Sequence, residues 1–567
     1  MAGTESTADI IRKYAVKNAV DYGRAGEGPV MSKVMQAIAK TKPDARALAA
    51  EVREIVSKVN SMSPAELSAE YSKYAEEFSE AEARRAERSA KHNFSIEGAT
   101  AGSFATRFPP EPGGYMHIGH AKPLFVEDEL RNVYGGRLFL YFDDTNPDNE
   151  RQEFVDAFKK DIGWLGIKFD REYYASDGIG MLYGYAEAAM KSGHAYVCMC
   201  SSEAISAARM DSKACEHREQ SPEENIGLWR SMLAGSVADN AAILRLRGDM
   251  SAANTTMRDP TLFRIKRARH YRQGDRFIVW PTYDFCTPIM DSVNGITDVI
   301  RSKEYEMRDE LYFAVLDLLG LRKPRITSLS RLEISGNLTS KRKIRQLIAE
   351  GKVSGWDDPR LVTISALRRR GVQPRAIKEF SLSFGMGKSE SVVGIDMLLS
   401  CNRKIVEPQA RRLFMLEDMA NIRVSGMPGS VILPSADGQM RREYRLSGNL
   451  LIPLPEAARL KEGDVVRLRD AFSIRIIKTG HLIEAEKTDA KAVSTTSWLS
   501  EGNYTECRIG SIGDLVSGET FNENSLRVRQ AHVESCAASL DEGDIVQFEK
   551  SGLFRLDDKE SMYFLSL

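Results

Sequence analysis

The sequence predicts a multidomain chain, α/β in its middle and all-β at its end, with a helical extension in front. Three observations carry this. A strand, a rigid turn and a helix follow one another between Ser103 and Tyr134, and strand–helix alternation continues beyond them. Residues 1 to about 100 carry helical periodicity and little else. From about residue 411 short alternating strands broken by glycine and asparagine take over, and Leu460-Lys-Glu-Gly-Asp-Val-Val-Arg-Leu468 echoes Leu540-Asp-Glu-Gly-Asp-Ile-Val-Gln-Phe548. Two related β-barrels are the simple reading of that repeat. The expected boundaries are 1–100, 101–333 with an insertion at 198–275, 334–410, and 411–567.

Bulk properties narrow the class. A chain of 567 residues is too long for one core. No apolar run approaches the ~20 residues of a membrane span, and Met1 to Asp9 lacks a signal peptide's basic-then-apolar layout. Seven cysteines in this length do not read as a disulfide scaffold, so a reducing cytoplasm is expected. Net charge is −1, so any nucleic-acid contact must come from local basic patches.

In the extension, Ile10–Val20, Val30–Ala39 and Ala45–Val59 space apolar residues by three and four, and Ser63-Pro-Ala-Glu66 is a capping box with proline at the first helical position. Ala81–Lys91 reads as an exposed charged helix leading to a linker. The chain then reaches Arg107-Phe-Pro-Pro-Glu-Pro-Gly-Gly-Tyr-Met-His-Ile-Gly-His-Ala-Lys122. Its strand–turn–helix junction lies where parallel α/β sheets bind ligands, and free N–H groups at the helix start suit an anion. His117 and His120 fall on the first turns, with Gly119 leaving room for a flat group. Read this way they form a nucleotide phosphate cradle. A zinc pair is a second reading, although no Glu adjoins His117 and no third ligand is near. Histidines without a task are a third.

Arg137–Phe142 reads as the next strand, ending in Asp143-Asp-Thr-Asn-Pro147. Acids there suit an ammonium or an Asx turn, and Asn146 suits a helix cap. In the insertion, Cys198-Met-Cys200 and Cys215-Glu-His217 would give a closed, structural zinc site, or are unrelated thiols. Arg264, Lys266, Arg267 and Arg269 add a basic run. Phe277–Pro281 reads as a strand of the returning α/β fold, followed by Tyr283 and a helix with an apolar face through Ile289 and Val293. Arg301 ends another strand. Beside Arg107 it would make a doubly cationic pocket, costly without an anion between the two guanidinium groups, so a substrate carboxylate is the natural occupant. The bland alternative pairs Arg301 with Glu304 or Glu306 at the surface. Asn337-Leu-Thr-Ser-Lys-Arg-Lys-Ile344 is a basic loop before a helix, whose Lys341 could swing onto a polyphosphate.

These strings resemble a known family. Arg-Phe-Pro-Pro-Glu-Pro-x-Gly-Tyr-x-His-Ile-Gly-His-Ala-Lys is similar to the HIGH signature of class I aminoacyl-tRNA synthetases in its glutamyl/glutaminyl form. Phe142-Asp-Asp-Thr-Asn-Pro147, Gly355-Trp-Asp-Asp-Pro-Arg360 and Leu367-Arg-Arg-Arg-Gly371 resemble the same branch. Residues 337–344 resemble its KMSKS loop, with Leu338 in place of the first lysine and Thr339 where methionine is common. The resemblance runs over about 101–567. It implies a Rossmann-like catalytic domain with an insertion that clamps the acceptor end of tRNA, a helical stem-contact region, and barrels that bind the anticodon. The barrels point to the archaeal/eukaryotic glutamyl type, since bacterial glutamyl enzymes have a helical anticodon region. Arg301 and Ile326 stand where glutaminyl enzymes typically hold a small uncharged residue and a polar one.

The resemblance further implies glutamate activation by ATP with Mg²⁺, followed by transfer to tRNA(Glu). It assigns His117, His120 and Lys341 to catalysis, and Glu111, Gly119, Leu332, Ser340 and Lys341 to ATP. Arg107, Asp143, Tyr283 and Arg301 are assigned to glutamate. Similar Cys/His pairs hold zinc in some members. A monomer without membrane contact is expected. Charging of tRNA(Gln) stays open. So do a glutamine–tRNA ligase, a silent tRNA-binding protein and a small-molecule adenylyltransferase.

Overall fold

The structure, a computed structural model, describes residues 6–22, 24–37, 45–75, 78, 94–434, 441–446, 448–518 and 520–567. The chain divides into two compact units, Met1–Asn93 and Phe94–Leu567.

In the first unit, α1 (Thr7–Tyr22), α2 (Glu27–Ala37), α3 (Ala45–Asn60) and α4 (Pro64–Ser72) gather around Ile11, Val16, Val34, Val52 and Val56. The capping box is present. The Ser63 side chain accepts from Glu66 N–H, and the Glu66 carboxylate accepts from Ser63 N–H at 2.8 Å. The expected helix Ala81–Lys91 lies outside the described residues.

The second unit begins with three parallel strands, β1 (Ala105–Phe108), β2 (Arg137–Phe142) and β3 (Arg171–Tyr174), in that order. Helix α5 (Ile118–Tyr134) links β1 to β2, and α6 (Gln152–Trp164) follows β2. Asn146 does not cap α6. It opens a turn, and both oxygens of Glu150 accept its N–H at 2.9 and 3.0 Å, so the helix starts six residues later. The next sheet is antiparallel: β4 (Ala195–Cys198), β5 (Ile243–Leu246), β6 (Thr261–Ile265) and β7 (Val279–Pro281). The strand read in Phe277–Pro281 therefore closes the inserted sheet instead of returning to the parallel one. Strand β8 (Asp298–Ser302) does return, paired in parallel with β9 (Arg325–Leu329). Ala105 N–H donates to Thr297 Oγ1 at 2.8 Å and Thr297 N–H donates to Ala105 O at 2.9 Å, which sets β8 beside β1.

Alternation along β1 sorts the two faces. Phe108 packs with Ile118, Leu124 and Phe125 of α5. Ala105 packs with Phe285 and Ile289 of α7 (Tyr283–Val293) and Leu311 and Val315 of α8 (Asp309–Leu318). Val293, expected on the apolar face, is exposed, and Asp291 is buried instead. Helices α9 (Lys341–Ala349), α10 (Ile364–Arg370), α11 (Pro374–Leu382) and α12 (Ile395–Val406) follow.

Two seven-stranded sheets complete the chain. One encloses Ile422, Leu450, Ile474 and Trp498; the other encloses Ile509, Val533, Val546 and Leu556. The repeat seen in the sequence is structural. Gly463 N–H donates to Ile476 O and Gly543 N–H to Leu556 O, both at 2.8 Å. The sheets are nested, not consecutive. Arg411–Leu413 pairs with Ile545–Phe548, and Met415–Leu416 with Leu526–Glu534, so the chain starts the second sheet before building the first.

Candidate active site

One cavity of about 760 Å³ lies at the carboxyl ends of β1, β2 and β8, lined by Arg107, Glu111, His117, Gly119, His120, Asp143, Tyr283, Arg301, Leu332 and Lys341, among others. Of the residues expected at ATP and glutamate, Ser340 does not reach the cavity wall. It caps α9 through a hydrogen bond from Lys343 N–H at 3.5 Å.

The helix start differs from a bare anion site. Ile118 N–H donates to Val362 O at 2.9 Å, Gly119 N–H to His117 Nδ1 at 3.1 Å, and His120 N–H to His117 O at 2.8 Å. The first three donors are thus taken. His120 Nδ1 in turn accepts from His117 N–H at 3.2 Å, so two histidines form a reciprocal capping box. Each ring spends Nδ1 as an acceptor, which assigns the proton to Nε2. The rings lie 3.8 Å apart between centroids. Burial first, then the Lys341 and Arg331 charges, push His117 down to about 3. Burial and the neighbouring His117 and Lys341 hold His120 well below its usual value. Both are neutral donors at physiological pH. A Cβ on Gly119 would lie 2.9 Å from His117 Cε1, so this glycine makes room for the capping ring itself.

Lys341 reaches across the turn. Its Nζ donates to Glu111 O at 2.6 Å and lies 3.7 Å from the Glu111 carboxylate. Its stem passes over Gly114, where a Cβ would sit 3.1 Å from Lys341 Cγ and 2.9 Å from the Trp356 ring.

The two arginines line the same cavity, but each has its own carboxylate. Arg107, 1% exposed, donates through Nε and Nη2 to Asp291 at 2.7 and 3.1 Å, and Tyr312 Oη donates to the same carboxylate at 2.9 Å. Arg301 pairs with Asp309 and donates to Tyr283 Oη at 3.1 Å. The protein therefore supplies the anions that the sequence reading left to the substrate. Surface pairing of Arg301 does not occur: Glu304 holds Arg331 and Glu306 holds Lys388. Tyr283 sits on the Arg301 side of the pocket. Nothing in the motifs signalled Asp291 or Asp309, although an aspartate among apolar helix positions is a usable sign of a buried partner.

The paired acids of β2 separate. Asp144 is buried at the back, accepting from Ser176 N–H, Ser176 Oγ and Tyr271 Oη, each at 2.8 Å. Asp143 faces the cavity, with Oδ1 lacking a partner among the described residues. Burial, then Glu111, raises its pKa to about 6.

In the inserted sheet, ligand atoms of Cys198, Cys200, Cys215 and His217 all lie within 4.8 Å of one another. The Cys198–Cys215 Sγ separation is 3.8 Å, and Cys200 Sγ is 3.4 Å from His217 Nδ1. A tetrahedron with Zn–S bonds of ~2.3 Å has S···S edges of ~3.8 Å, so the donor set fits zinc. The basic run is partly engaged: Lys266 pairs with Asp148 and Arg267 with Asp239.

Residues 103–408 match the family described as the catalytic domain of class I tRNA synthetases, E and Q. The chain is 37% identical over 565 residues to the glutamate–tRNA ligase of Nitrosopumilus maritimus, covering 98% of each. It is 36% identical over 559 residues to that of Cenarchaeum symbiosum, again 98% of each. With that of Thermococcus onnurineus it shares 33% over 569 residues, 97% of each.

Proposed function

The chain belongs to the class I tRNA synthetases of the glutamate and glutamine branch, and from that premise we propose how its own residues do the chemistry. It is a glutamate–tRNA ligase, which activates glutamate with ATP and passes it to tRNA.

ATP enters as its Mg²⁺ complex and lies over the start of α5, its adenine near Gly119 and Leu332 and its phosphates toward Glu111 and Lys341, while Ser340 acts from behind by capping the helix that carries Lys341. Arg107 and Arg301 direct their remaining N–H groups at the side-chain carboxylate. Asp143 accepts from the substrate ammonium, and the Tyr283 hydroxyl, already accepting from Arg301, turns its own proton to the side-chain carboxylate on that side of the pocket. The substrate α-carboxylate attacks the α-phosphorus. The bond to the β-phosphate oxygen breaks, and pyrophosphate leaves. No side chain becomes a covalent nucleophile; alignment and charge stabilisation lower the barrier. The Nε2–H groups of His117 and His120 and the Lys341 ammonium donate to the oxygens that gain charge. The 3′-terminal hydroxyl of tRNA(Glu) then takes the acyl group and AMP departs. Cys198, Cys200, Cys215 and His217 would hold a structural Zn²⁺ that closes the base of the insertion.

The supporting observation is that two neutral histidine donors, a lysine, two arginines and an open carboxylate line one cavity. The test is pyrophosphate exchange with tRNA(Glu) present, using glutamate or glutamine. Activity with glutamate is expected. Arg301→Ala should lower kcat/KM for glutamate by about 100-fold, two charge-assisted hydrogen bonds at ~1.5 kcal/mol each. Undiminished activity in that variant would overturn the pocket assignment. Acylation of purified tRNA(Gln) in parallel decides whether it is a second acceptor.

A further inference from the structure

Arg245 of β5 is 1% exposed and has no carboxylate in ion-pair range among the described residues. Its Nε donates to Asp259 O at 2.9 Å. Its Nη1 donates to Cys198 Sγ at 3.8 Å and Cys215 Sγ at 3.9 Å, while Nη2 has no partner among the described residues. The carboxylate of Asp259 is directed elsewhere: to Arg218 at 3.2 Å, Tyr196 Oη at 2.9 Å and Gly248 N–H at 2.7 Å. The guanidinium is therefore buried on two sulfurs. Neutral thiols offer it no counter-charge, and a buried unpaired cation is strongly unfavourable.

A bound zinc would supply the missing counter-charge through its thiolates. Three thiolates, one neutral imidazole and Zn²⁺ sum to −1, which Arg245 brings to zero. We infer that Arg245 is the cationic positioning partner of the Cys198–Cys200–Cys215–His217 metal centre, holding two of its thiolates by N–H···S bonds and tying the centre to the inserted sheet. The inference rests on the zinc reading above. It also explains why the two features coincide: a buried arginine needs an anion, and an anionic zinc–thiolate centre in a protein interior needs a cation. The neighbouring Tyr196, paired with Arg245 in the β4–β5 register, reinforces the arrangement, its Oη lying 3.6 Å from Cys215 Sγ.

The test uses the full chain purified with zinc available. Elemental analysis gives zinc per chain, and a chromogenic chelator gives the release rate. Wild type is expected to hold one zinc. Arg245→Met, which keeps volume and removes charge, should release it about 10–100-fold faster, the range usual for outer partners of a metal site. Arg245→Lys keeps the charge without the planar fork and should fall between. If Arg245→Met is insoluble, the lysine variant alone decides, since faster release than wild type is still required. A wild type that holds zinc, with variants that release it no faster, overturns the role of Arg245. A wild type that takes up no zinc overturns the metal reading, and this inference falls with it.

Discussion

At the scale of single residues, protonation states decide what the site can do. His117 and His120 are neutral because burial and the Lys341 charge disfavour their cations. They contribute no ionisation near pH 6.5. On the proposed reading Asp143, which burial raises to about 6, would set the acid limb, since a carboxyl must be ionised to accept from an ammonium. We therefore expect kcat/KM for glutamate to fall as pH drops below about 6, and the limb to vanish in Asp143→Asn along with most of the activity. A limb that persists in Asp143→Asn would reassign it. Glu127 presents the converse case. It is fully buried on α5, at the cavity's edge, and neither oxygen has a partner among the described residues. Burial holds its pKa well above the usual value. Between the unfolded value of ~4.3 and that raised value the native state binds the extra proton, so stability falls as pH rises through this window. Glu127→Gln should remove that slope. The variant should gain on wild type from pH 5 to 8 in denaturant midpoints, by on the order of 1–3 kcal/mol for a buried unsatisfied group. The motif residues were legible one by one. Their partners were not: Asp291 and Val362 come from segments far along the chain, and Asp309, eight residues past Arg301, lies on the next helix, with no motif linking any of them to the residue it holds.

At the scale of elements, the strands β1, β2 and β8 and helix α5 could be read from periodicity, since apolar alternation and turn residues are local facts. Sheet membership was not readable. Strand β7 joins the inserted sheet because its partner is β6, a pairing that local sequence does not encode. The start of α5 was legible to within two residues, but its cap was hidden, as histidine is not an ordinary capping residue. The turn between β1 and α5 has a further demand that the sequence showed only as a glycine pair. Lys341 and the Trp356 ring, which stacks on Tyr115 at 5.4 Å, both crowd the position a Gly114 Cβ would take. Gly114→Ala should push the lysine stem off its path across the turn. A displacement of about 1 Å at a reacting group can cost ~100-fold, so kcat for adenylate formation should fall steeply while KM for glutamate changes little. Equal loss in KM would place the damage in the amino-acid pocket instead.

At the scale of the whole second unit, the last barrel is joined to the loop that carries Ser340 and Lys341. Val516 N–H donates to Gly336 O at 3.1 Å, four residues before Ser340. Leu515 and Val516 are buried with Ile344 and Leu347 of α9, and with Leu361 and Ala366. Arg369 of α10 donates to Asp557 of the same barrel at 2.8 Å, and Arg360 to Ser525 at 3.3 Å. The sequence showed two barrels through their repeat, but neither the nesting nor this contact, which joins a barrel loop to a helix some 170 residues earlier. Its consequence is physical. The segment that positions Ser340 and Lys341 rests on a hydrophobic patch to which the barrel contributes. Leu515→Ala would leave a cavity under that segment, a change of ~2–5 kcal/mol in a packed core. Because Leu515 touches no substrate, a purely local effect would lower thermal stability alone. Since the patch supports the start of α9, we expect kcat for pyrophosphate exchange also to drop well below that of wild type, with KM for glutamate nearly constant. Measured at a temperature where both proteins are folded, an unchanged kcat would show that the barrel supports the loop's stability without setting its position.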